Sequence, residues 1–312
     1  MRVLVTGAGG FVGNHLLKEL TDRGHEVYAG TLSENIAIDT CVQVKFNIMN
    51  SEQVEATLIH IKPEGIIHLA AQSMVKYAWD HPLDTFKVNT VGTIVLLEAV
   101  KTYLPLTKVV CVGSSEEYGL SALNGKPLTE EHPCLPQNPY ATSKLAAGLI
   151  AMQMAKKDRL RVIHVRPFNH FGPGQRTGFV VSDFASQIAR IEQGLKGYVL
   201  KVGDLSARRD FTDVRDVVKA YALLLENEVE YGIYNVCSGA PRSAKEILDA
   251  LVEMAKVPIR TQLDDSKYRP SEVPLFMGSA YKIERAVSWR PEREFRDSLR
   301  ETLEWWRQAS RD

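Results

Sequence analysis

The chain has 312 residues, of which 45% are hydrophobic, and its 38 basic and 38 acidic side chains cancel to a formal net charge of zero. This length and composition allow a large buried core, but the charge balance argues against a nucleic-acid partner, which needs a basic excess opposite its phosphates. No uninterrupted apolar run approaches the roughly 18 residues that a membrane helix needs. The start of the chain lacks a signal-peptide pattern, and the four cysteines have no matched spacing. We therefore expect a cytoplasmic protein with reduced thiols and no membrane partner.

Strands and helices alternate along the first half of the chain. Short apolar runs typical of buried parallel strands are VLVTG, EVYAG, VQVKF, GIIHLAA, KVVCVGSS and LRVIHVRPFN. Helical spacing of apolar residues predicts helices at 11–23, from a Ser51 cap to residue 61, at 85–100 and at 140–157. The alternation predicts right-handed crossovers and an α/β fold with a doubly wound parallel sheet of the Rossmann type.

The alternation ends near residue 168. The rest of the chain has shorter segments, richer in Gly, Pro and Arg, such as FGPGQRTGF and KVGDLSARRDF. We therefore predict a Rossmann domain over residues 1–168, with a returning segment at about 208–237. A smaller C-terminal lobe that binds substrate is expected over residues 169–312.

A glycine-rich turn follows the first predicted strand. Gly7, Gly10 and Gly13 stand between that strand and a helix, where glycines allow a tight turn and a close approach of the backbone to a pyrophosphate. This pattern predicts a nicotinamide dinucleotide site. The second strand ends near Thr31 with no Asp or Glu to bind a ribose 2′-hydroxyl, which favours NADPH and leaves NADH open.

A serine, a tyrosine and a lysine form the candidate catalytic group. Tyr140 and Lys144 are four residues apart at the start of a predicted helix and share one face. Ser114 ends the fifth predicted strand, at the sheet edge where such folds bind ligands. An ammonium beside a phenol lowers its pKa from about 10 towards the range useful for acid–base catalysis. We expect Lys144 to act on Tyr140 in this way while Ser114 orients a substrate carbonyl.

Together these motifs resemble the extended short-chain dehydrogenases that act on nucleotide sugars. The resemblance rests on GxxGxxG at 7–13, LAAQS at 69–73, Asn89, SS at 114–115 and YATSK at 140–144, and it covers essentially the whole chain. It implies catalysis by Ser114, Tyr140 and Lys144. It also implies a cofactor site that comprises Gly7, Gly10, Phe11, Val12, Gly13, Thr31, Asn47, Ile48, Leu69, Ala70, Ala71, Tyr140 and Lys144.

Later motifs resemble a narrower group, the enzymes of GDP-6-deoxyhexose synthesis. These motifs are RPFNHFGPGQ at 166–175, KVGDLSARRDFTDVRD at 201–216, YNVCSG at 234–239 and RPSEVP at 269–274. Guanidinium groups suit a diphosphate and a carboxylate suits a ribose diol. The likeness implies a GDP-sugar substrate bound by Ser114, Ser115, Glu116, Asn169, Lys201, Arg209, Arg269 and Glu272.

The resemblance implies reduction of the C4 ketone of GDP-4-keto-6-deoxy-D-mannose, and Glu116 keeps an alternative open. In dehydratases of this group, the residue at the position of Glu116 is the base that removes the C5 proton of the sugar. A 4,6-dehydratase or a bifunctional enzyme is therefore the second interpretation. A non-catalytic NAD(P)-sensing protein is the third, although such proteins typically lose the Tyr or Lys. The scattered histidines predict no metal site. The helix at about 141–157 is apolar on more than one face, which favours a homodimer, although a thicker monomeric core would also explain it.

Overall fold

A computed structural model of the chain describes residues 1–32, 41–195, 197–264 and 272–309. The strands are β1 Arg2–Thr6, β2 Glu26–Thr31, β3 Val42–Lys45, β4 Gly65–His68, β5 Lys108–Val112, β6 Arg161–Pro167, β7 Asn169–Phe171, β8 Val199–Val202, β9 Arg208–Asp213, β10 Ile233–Val236, β11 Pro241–Ser243, β12 Arg260–Leu263 and β13 Leu275–Phe276. The helices are α1 Phe11–Asp22, α2 Ser51–Ile61, α3 Val75–Asp80, α4 Pro82–Phe86, α5 Gly92–Tyr103, α6 Pro139–Asp158, α7 Val180–Glu192, α8 Val214–Glu226, α9 Ala244–Glu253, α10 Tyr281–Val287 and α11 Phe295–Ala309.

Seven strands form one parallel sheet in the order β10-β6-β5-β4-β1-β2-β3. All six strands expected from the apolar runs are present, and β10 joins them from the second half of the chain. The order reverses between β1 and β4, as a doubly wound sheet requires. The predicted fold class is therefore confirmed.

Both faces of this sheet are covered along its central strands, which explains the runs of consecutive apolar residues on β1, β4 and β5. On β1, the side chains of Val3 and Val5 pack into a core formed with α1 and α8, whereas Leu4 between them packs into a core formed with α2 and α5. Successive residues of a strand face opposite sides of a sheet. A strand covered on both sides therefore carries consecutive apolar residues, apart from polar side chains with buried partners such as Arg166 of β6.

Two predicted helices differ from the structure at their boundaries. Asn50 rather than Ser51 caps α2, because the Asn50 side chain accepts a hydrogen bond from the Gln53 N–H. The single helix expected over 85–100 is interrupted by a π-helical turn at Lys87–Val91, which joins α4 to α5. Such turns are rare and occur frequently at functional sites.

Outside the main sheet, the second half of the chain builds a smaller unit. Its sheet is centred on β9, which pairs with β11 in antiparallel and with β7 and β13 in parallel orientation. Strands β8 and β12 form a separate parallel pair. A third core lies between α7, α9 and α11. None of the described helices combines the length and apolar character needed to cross a membrane.

Candidate active site

The turn between β1 and α1 is built for close approach. Gly7 has a left-handed φ of +70°, and a Cβ there would lie 2.7 Å from the backbone of Ala70. A Cβ on Gly13 would lie 2.2 Å from the carbonyl oxygen of Ala8. Gly10 precedes α1, and within the described chain no side chain caps this helix start. Phe11 and Val12 are half-buried in its first turn. The first N–H groups of α1 are thus available to an anion.

A buried hydrogen-bond chain fixes the strand end beside this turn. Thr93 Oγ1 donates to Asn89 O (2.7 Å), so it accepts from His68 Nε2 (3.1 Å). His68 Nδ1 then accepts from Thr6 Oγ1 (2.7 Å), which in turn accepts from the Ala70 N–H (3.2 Å). Burial lowers the pKa of His68 to about 3, so the ring stays neutral. This chain holds the half-buried Leu69–Ala71 segment against the glycine turn.

The residues predicted to contact the adenine end lie at the edge of β2 and β3. Thr31 is buried at the end of β2, and residues 33–40 lie outside the described ranges. Asn47 Oδ1 accepts from the Met49 N–H at 3.0 Å. The side chain of Ile48 packs into the core against Gly92, where a Cβ would be 2.9 Å from Ile48 Cγ1. Ile48 therefore offers its main chain, not its side chain, to this edge.

Ser114, Tyr140 and Lys144 come together at the carboxyl end of β5. Ser114 begins a short 3₁₀ turn over Ser115–Tyr118, and its side chain lies close enough to Tyr140 to lower the pKa of the phenol. Tyr140 lies in the first turn of α6, which Asn138 caps by accepting from the Ala141 N–H at 2.8 Å. One helical turn further on, Lys144 is buried and its Nζ donates to Val112 O at 2.8 Å.

The electrostatics of this group differ from the sequence-based expectation. Removal from water raises the pKa of Tyr140 to about 12; the nearby Ser114 hydroxyl acts to lower it, whereas the carboxylates of Glu116 and Glu117 act to raise it. Burial lowers the pKa of Lys144 to about 8. The expectation that Lys144 pulls the phenol pKa down was wrong, because desolvation prevails. Tyr140 therefore stays protonated, in the form that can donate a proton.

Across from this group lie two of the predicted substrate residues. Glu116 is half-buried, and its Oε2 accepts from Asn138 Nδ2 at 3.3 Å. Arg209 on β9 has its guanidinium 6.0 Å from the centre of the Phe276 ring. Burial lowers the pKa of Arg209, while the negative charge of Glu116 acts to raise it. The Glu116 carboxylate is thus near enough to the Arg209 guanidinium to stabilise its positive charge.

The remaining predicted substrate residues occupy varied places. Ser115 is buried, and Asn169 begins β7, where it pairs with Phe211 of β9. Lys201 is exposed on β8, with its Nζ 3.9 Å from Asp264. Glu272 is exposed just before β13. Arg269 lies outside the described residues.

Two site residues were missed from the sequence, Asn138 and Glu117. An Asn followed by Pro139 at the first helical position is a recognisable helix start, so Asn138 could have been found from that signal. Glu117 is wholly buried directly after Glu116. A two-glutamate run gives no sign of burial, because glutamates are mostly exposed.

Comparison with known proteins gives consistent matches over the full length of the chain. The family model described as GDP-mannose 4,6 dehydratase matches residues 4–302. GDP-6-deoxy-D-mannose reductase of Pseudomonas aeruginosa is 35% identical over 311 residues, which covers 100% of this chain and 99% of that protein. GDP-mannose 4,6 dehydratase of Homo sapiens is 26% identical over 338 residues, covering 96% and 90% respectively.

A solved structure, that of RMD from Pseudomonas aeruginosa complexed with NADPH, superposes with a TM-score of 0.88 at 34% identity and covers 99% of both chains. The family match, the 35% identity and the assembled Ser114, Tyr140 and Lys144 group agree. This chain belongs to the GDP-mannose 4,6-dehydratase family of extended short-chain dehydrogenases.

Proposed function

We propose that this enzyme uses NADPH or NADH to reduce the C4 ketone of GDP-4-keto-6-deoxy-D-mannose, giving GDP-D-rhamnose. The observation that carries the proposal is the grouping of Ser114, Tyr140 and Lys144 at the carboxyl end of β5, in the same sheet as the strand that leads into the glycine turn. The similarity to a GDP-6-deoxy-D-mannose reductase supports the substrate. A ketone reduction needs a proton donor and a carbonyl anchor at one point, and Tyr140 and Ser114 provide both.

The glycine turn fits a dinucleotide, because side chains at Gly7 and Gly13 would collide with the backbone of Ala70 and Ala8 and displace the helix start that would bind the pyrophosphate. When bound there, the reduced nicotinamide supplies the hydride. NADPH is favoured by the lack of a carboxylate at the Thr31 strand end and by the bound NADPH of the Pseudomonas aeruginosa structure. The residues proposed to hold the cofactor are Gly7, Gly10, Phe11, Val12, Gly13, Thr31, Asn47, Ile48, Leu69, Ala70, Ala71, Tyr140 and Lys144.

The protein's own residues divide the remaining tasks. Ser114 Oγ binds the C4 oxygen, and Tyr140 donates its phenolic proton to that oxygen as the C–O bond is reduced. Lys144, anchored on Val112 O, presents its ammonium to the nicotinamide ribose side of the site. Positioning and stabilisation of the developing alkoxide account for most of the acceleration in such an arrangement.

The smaller unit would hold the GDP part of the substrate. We propose residues 169–312 as the substrate-binding lobe, with 208–237 returning to the domain of residues 1–168. Its contacts to the sugar and diphosphate would come from Asn169, Lys201, Arg209, Arg269 and Glu272, with Ser115 and Glu116 from the other side. Because Lys201 is exposed and 3.9 Å from Asp264, its part in this set would be a peripheral one.

Arg209→Ala is expected to weaken GDP binding by about tenfold or more, because a charge-assisted hydrogen bond is worth about 1.5–3 kcal/mol. NADPH affinity should hardly change, since the glycine turn is a separate site. Calorimetric titration of both ligands measures the two effects. Equal losses for GDP and NADPH would show a folding defect or a shared site and would contradict the assignment of Arg209.

A 4,6-dehydratase is the second candidate, favoured by one observation. The Glu116 carboxylate lies close enough to Tyr140 to raise the pKa of the phenol, so it could act as a base near the same sugar. A dehydratase oxidises C4, removes the C5 proton, expels the C6 hydroxyl and returns the hydride to C6. It cannot dispense with that base, whereas ketone reduction needs no proton abstraction at carbon.

Glu116→Gln separates the two functions. We expect this variant to keep ketone reduction within about tenfold of wild type, since Glu116 would serve only as a polar wall and acid–base catalysis is worth about 10²–10⁴-fold. Product analysis by chromatography would follow both reactions. If the wild type converts GDP-mannose to the 4-keto sugar and Glu116→Gln abolishes that conversion, the dehydratase assignment replaces this one.

The enzyme is proposed to work in the cytoplasm as a homodimer. On the face of α6, Leu149 is 52% exposed, and nearby in the helical layer Val91 is 43% exposed. Covering such apolar side chains by a second copy is favourable. Sedimentation equilibrium of the whole chain at several concentrations tests this, and a single species of 34.9 kDa throughout would contradict it.

A further inference from the structure

A buried ionic cluster lies directly behind the catalytic serine. The Glu117 carboxylate is 0% exposed, and its partners His164 and Arg166 on β6 are 2% and 4% exposed. His164 Nε2 lies 3.0 Å from Glu117 Oε1, and Arg166 Nε donates to Oε2 at 2.7 Å. Although burial alone would raise the pKa of Glu117, these two partners hold it below its usual value. The carboxylate is therefore ionised.

The backbone makes room for this cluster at two glycines. A Cβ on Gly113 would lie 2.3 Å from Glu117 Oε1 and 2.5 Å from the His164 ring. A Cβ on Gly148 of α6 would lie 2.5 Å from His164 Nε2. Buried ion pairs often contribute no more stability than apolar side chains of similar volume. Stability alone is thus a weak reason for this arrangement.

The cluster reaches the active site through one hydrogen bond. The Ser114 N–H donates to Glu117 Oε1 at 3.0 Å, and Ser114 Oγ accepts from the Glu116 N–H at 3.2 Å. Together these bonds form a capping box that fixes both the main chain and the side chain of Ser114. The same Ser114 side chain acts on the phenol of Tyr140, whose pKa it lowers.

We propose that Glu117 is a positioning residue for the reaction: clamped by His164 and Arg166, its carboxylate holds the Ser114 main chain so that Ser114 Oγ points at the reacting oxygen. This inference rests on the proposed function for the identity of that oxygen. Glu117 itself touches neither substrate nor cofactor. A site held by a second layer of hydrogen bonds keeps the tight geometry that catalysis needs.

The Glu117 charge also acts on the acid–base pair, which supplies an independent signature. It raises the pKa of both Lys144 and Tyr140. The removal of this charge should therefore lower both values and move the alkaline limb of the pH–rate profile to lower pH. The other titratable groups facing the pair are Glu116, Tyr221, His68 and Cys111.

None of these four groups would mask the shift of the alkaline limb. Burial holds the pKa of His68 at about 3 and raises that of Cys111 to about 12. The phenol of Tyr221 is shifted upward by burial as well. The substitutions below leave the Glu116 carboxylate in place. The shift of the limb reports the Glu117 charge itself, and the coupling of Glu117 to Ser114 in a double-mutant cycle separates positioning from a merely structural role.

The test is a double-mutant cycle of Glu117→Gln with Ser114→Ala. Glu117→Gln should lower kcat by about ten- to hundredfold, the loss associated with a hydrogen bond to a charged group, and shift the alkaline limb to lower pH. The KM for the sugar and the NADPH affinity should change by less than about threefold. In the Ser114→Ala background the same substitution should lower kcat by less than about threefold, because interacting residues are not additive.

The outcome that overturns the proposal is an equal loss of kcat in both backgrounds, or an unchanged kcat and pH profile in Glu117→Gln. The cycle can be run on whichever turnover the wild type shows. If the reductase assignment is wrong, the wild-type enzyme itself will not reduce the 4-keto sugar. That result does not depend on the comparison between variants, so it is distinguishable from a failure of this proposal.

A second variant covers the case in which Glu117→Gln does not fold. Gly113→Ala displaces the carboxylate without changing any charge, and it should reproduce the loss of kcat in the wild-type but not in the Ser114→Ala background. Gly65→Ala is the matched control, because its Cβ would lie 2.9 Å from Leu225 Cδ1 and crowds a buried apolar side chain outside the Glu117 cluster. Equal kcat losses in Gly113→Ala and Gly65→Ala would show general crowding and contradict the proposal.

Discussion

Tyr140→Phe is expected to lower kcat for ketone reduction by about 10²–10⁴-fold, the range typical of a lost general acid. The raised pKa, about 12, keeps the phenol protonated, so the wild-type side chain is in its donor form at neutral pH. Phenylalanine keeps the ring and removes only the phenolic hydroxyl. Steady-state kinetics with saturating sugar and NADPH measure the change.

The control for this prediction is cofactor affinity. Tyr140 is assigned as a proton donor, not as a major anchor, so fluorescence titration should show NADPH binding within about threefold of wild type, less than the contribution of one strong hydrogen bond. If binding is intact and turnover stays above about a tenth of wild type, general acid catalysis by Tyr140 is ruled out, because its loss would remove at least about two orders of magnitude.

Gly13→Ala is expected to weaken NADPH binding by roughly 5- to 150-fold. The added Cβ would lie 2.2 Å from the Ala8 carbonyl oxygen and 2.6 Å from its carbon, so the turn and the start of α1 must separate. Overpacking of this kind costs about 1–3 kcal/mol, and each 1.4 kcal/mol is about tenfold in affinity. Because the helix start is the proposed pyrophosphate site, the displacement should appear directly in the dissociation constant.

Gly24→Asn is a suitable control at the other end of α1. Gly24 has φ +80°, and a Cβ there would meet no described atom within 4 Å. Asparagine is among the residues that tolerate this left-handed conformation. The control should bind NADPH as the wild type does. A Gly13→Ala variant that does so too would show that the turn does not hold the cofactor.

Local patterns predict the part of the fold that local chemistry determines. The six apolar runs are strands of the main sheet, and consecutive apolar residues are typical of strands covered on both faces. The glycine turn could also be predicted from the sequence, because the spacing of Gly7, Gly10 and Gly13 reflects contacts within a few residues or with the end of one neighbouring strand. The Tyr140 and Lys144 pair follows from helical periodicity alone.

Contacts between segments far apart in the sequence determine the features that local patterns do not predict. Glu117 is buried only because His164 and Arg166 of β6 lie against it, 47 and 49 residues further along the chain. The π-helical turn at Lys87–Val91 breaks a continuous apolar helix pattern. The pKa of Tyr140 rises because desolvation outweighs the effect of the Ser114 hydroxyl. Residue spacing does not show how deeply the first turn of a helix is buried, so the direction of this shift could not be predicted from the sequence.

The consumption of cofactor during turnover tests the central claim most directly. When the purified enzyme is mixed with GDP-4-keto-6-deoxy-D-mannose and NADPH, the account predicts that one NADPH is oxidised for each sugar reduced and that GDP-D-rhamnose is the product. Conversion of GDP-mannose to the 4-keto sugar with no net oxidation of NADPH, and no reduction of the 4-keto sugar, would contradict it.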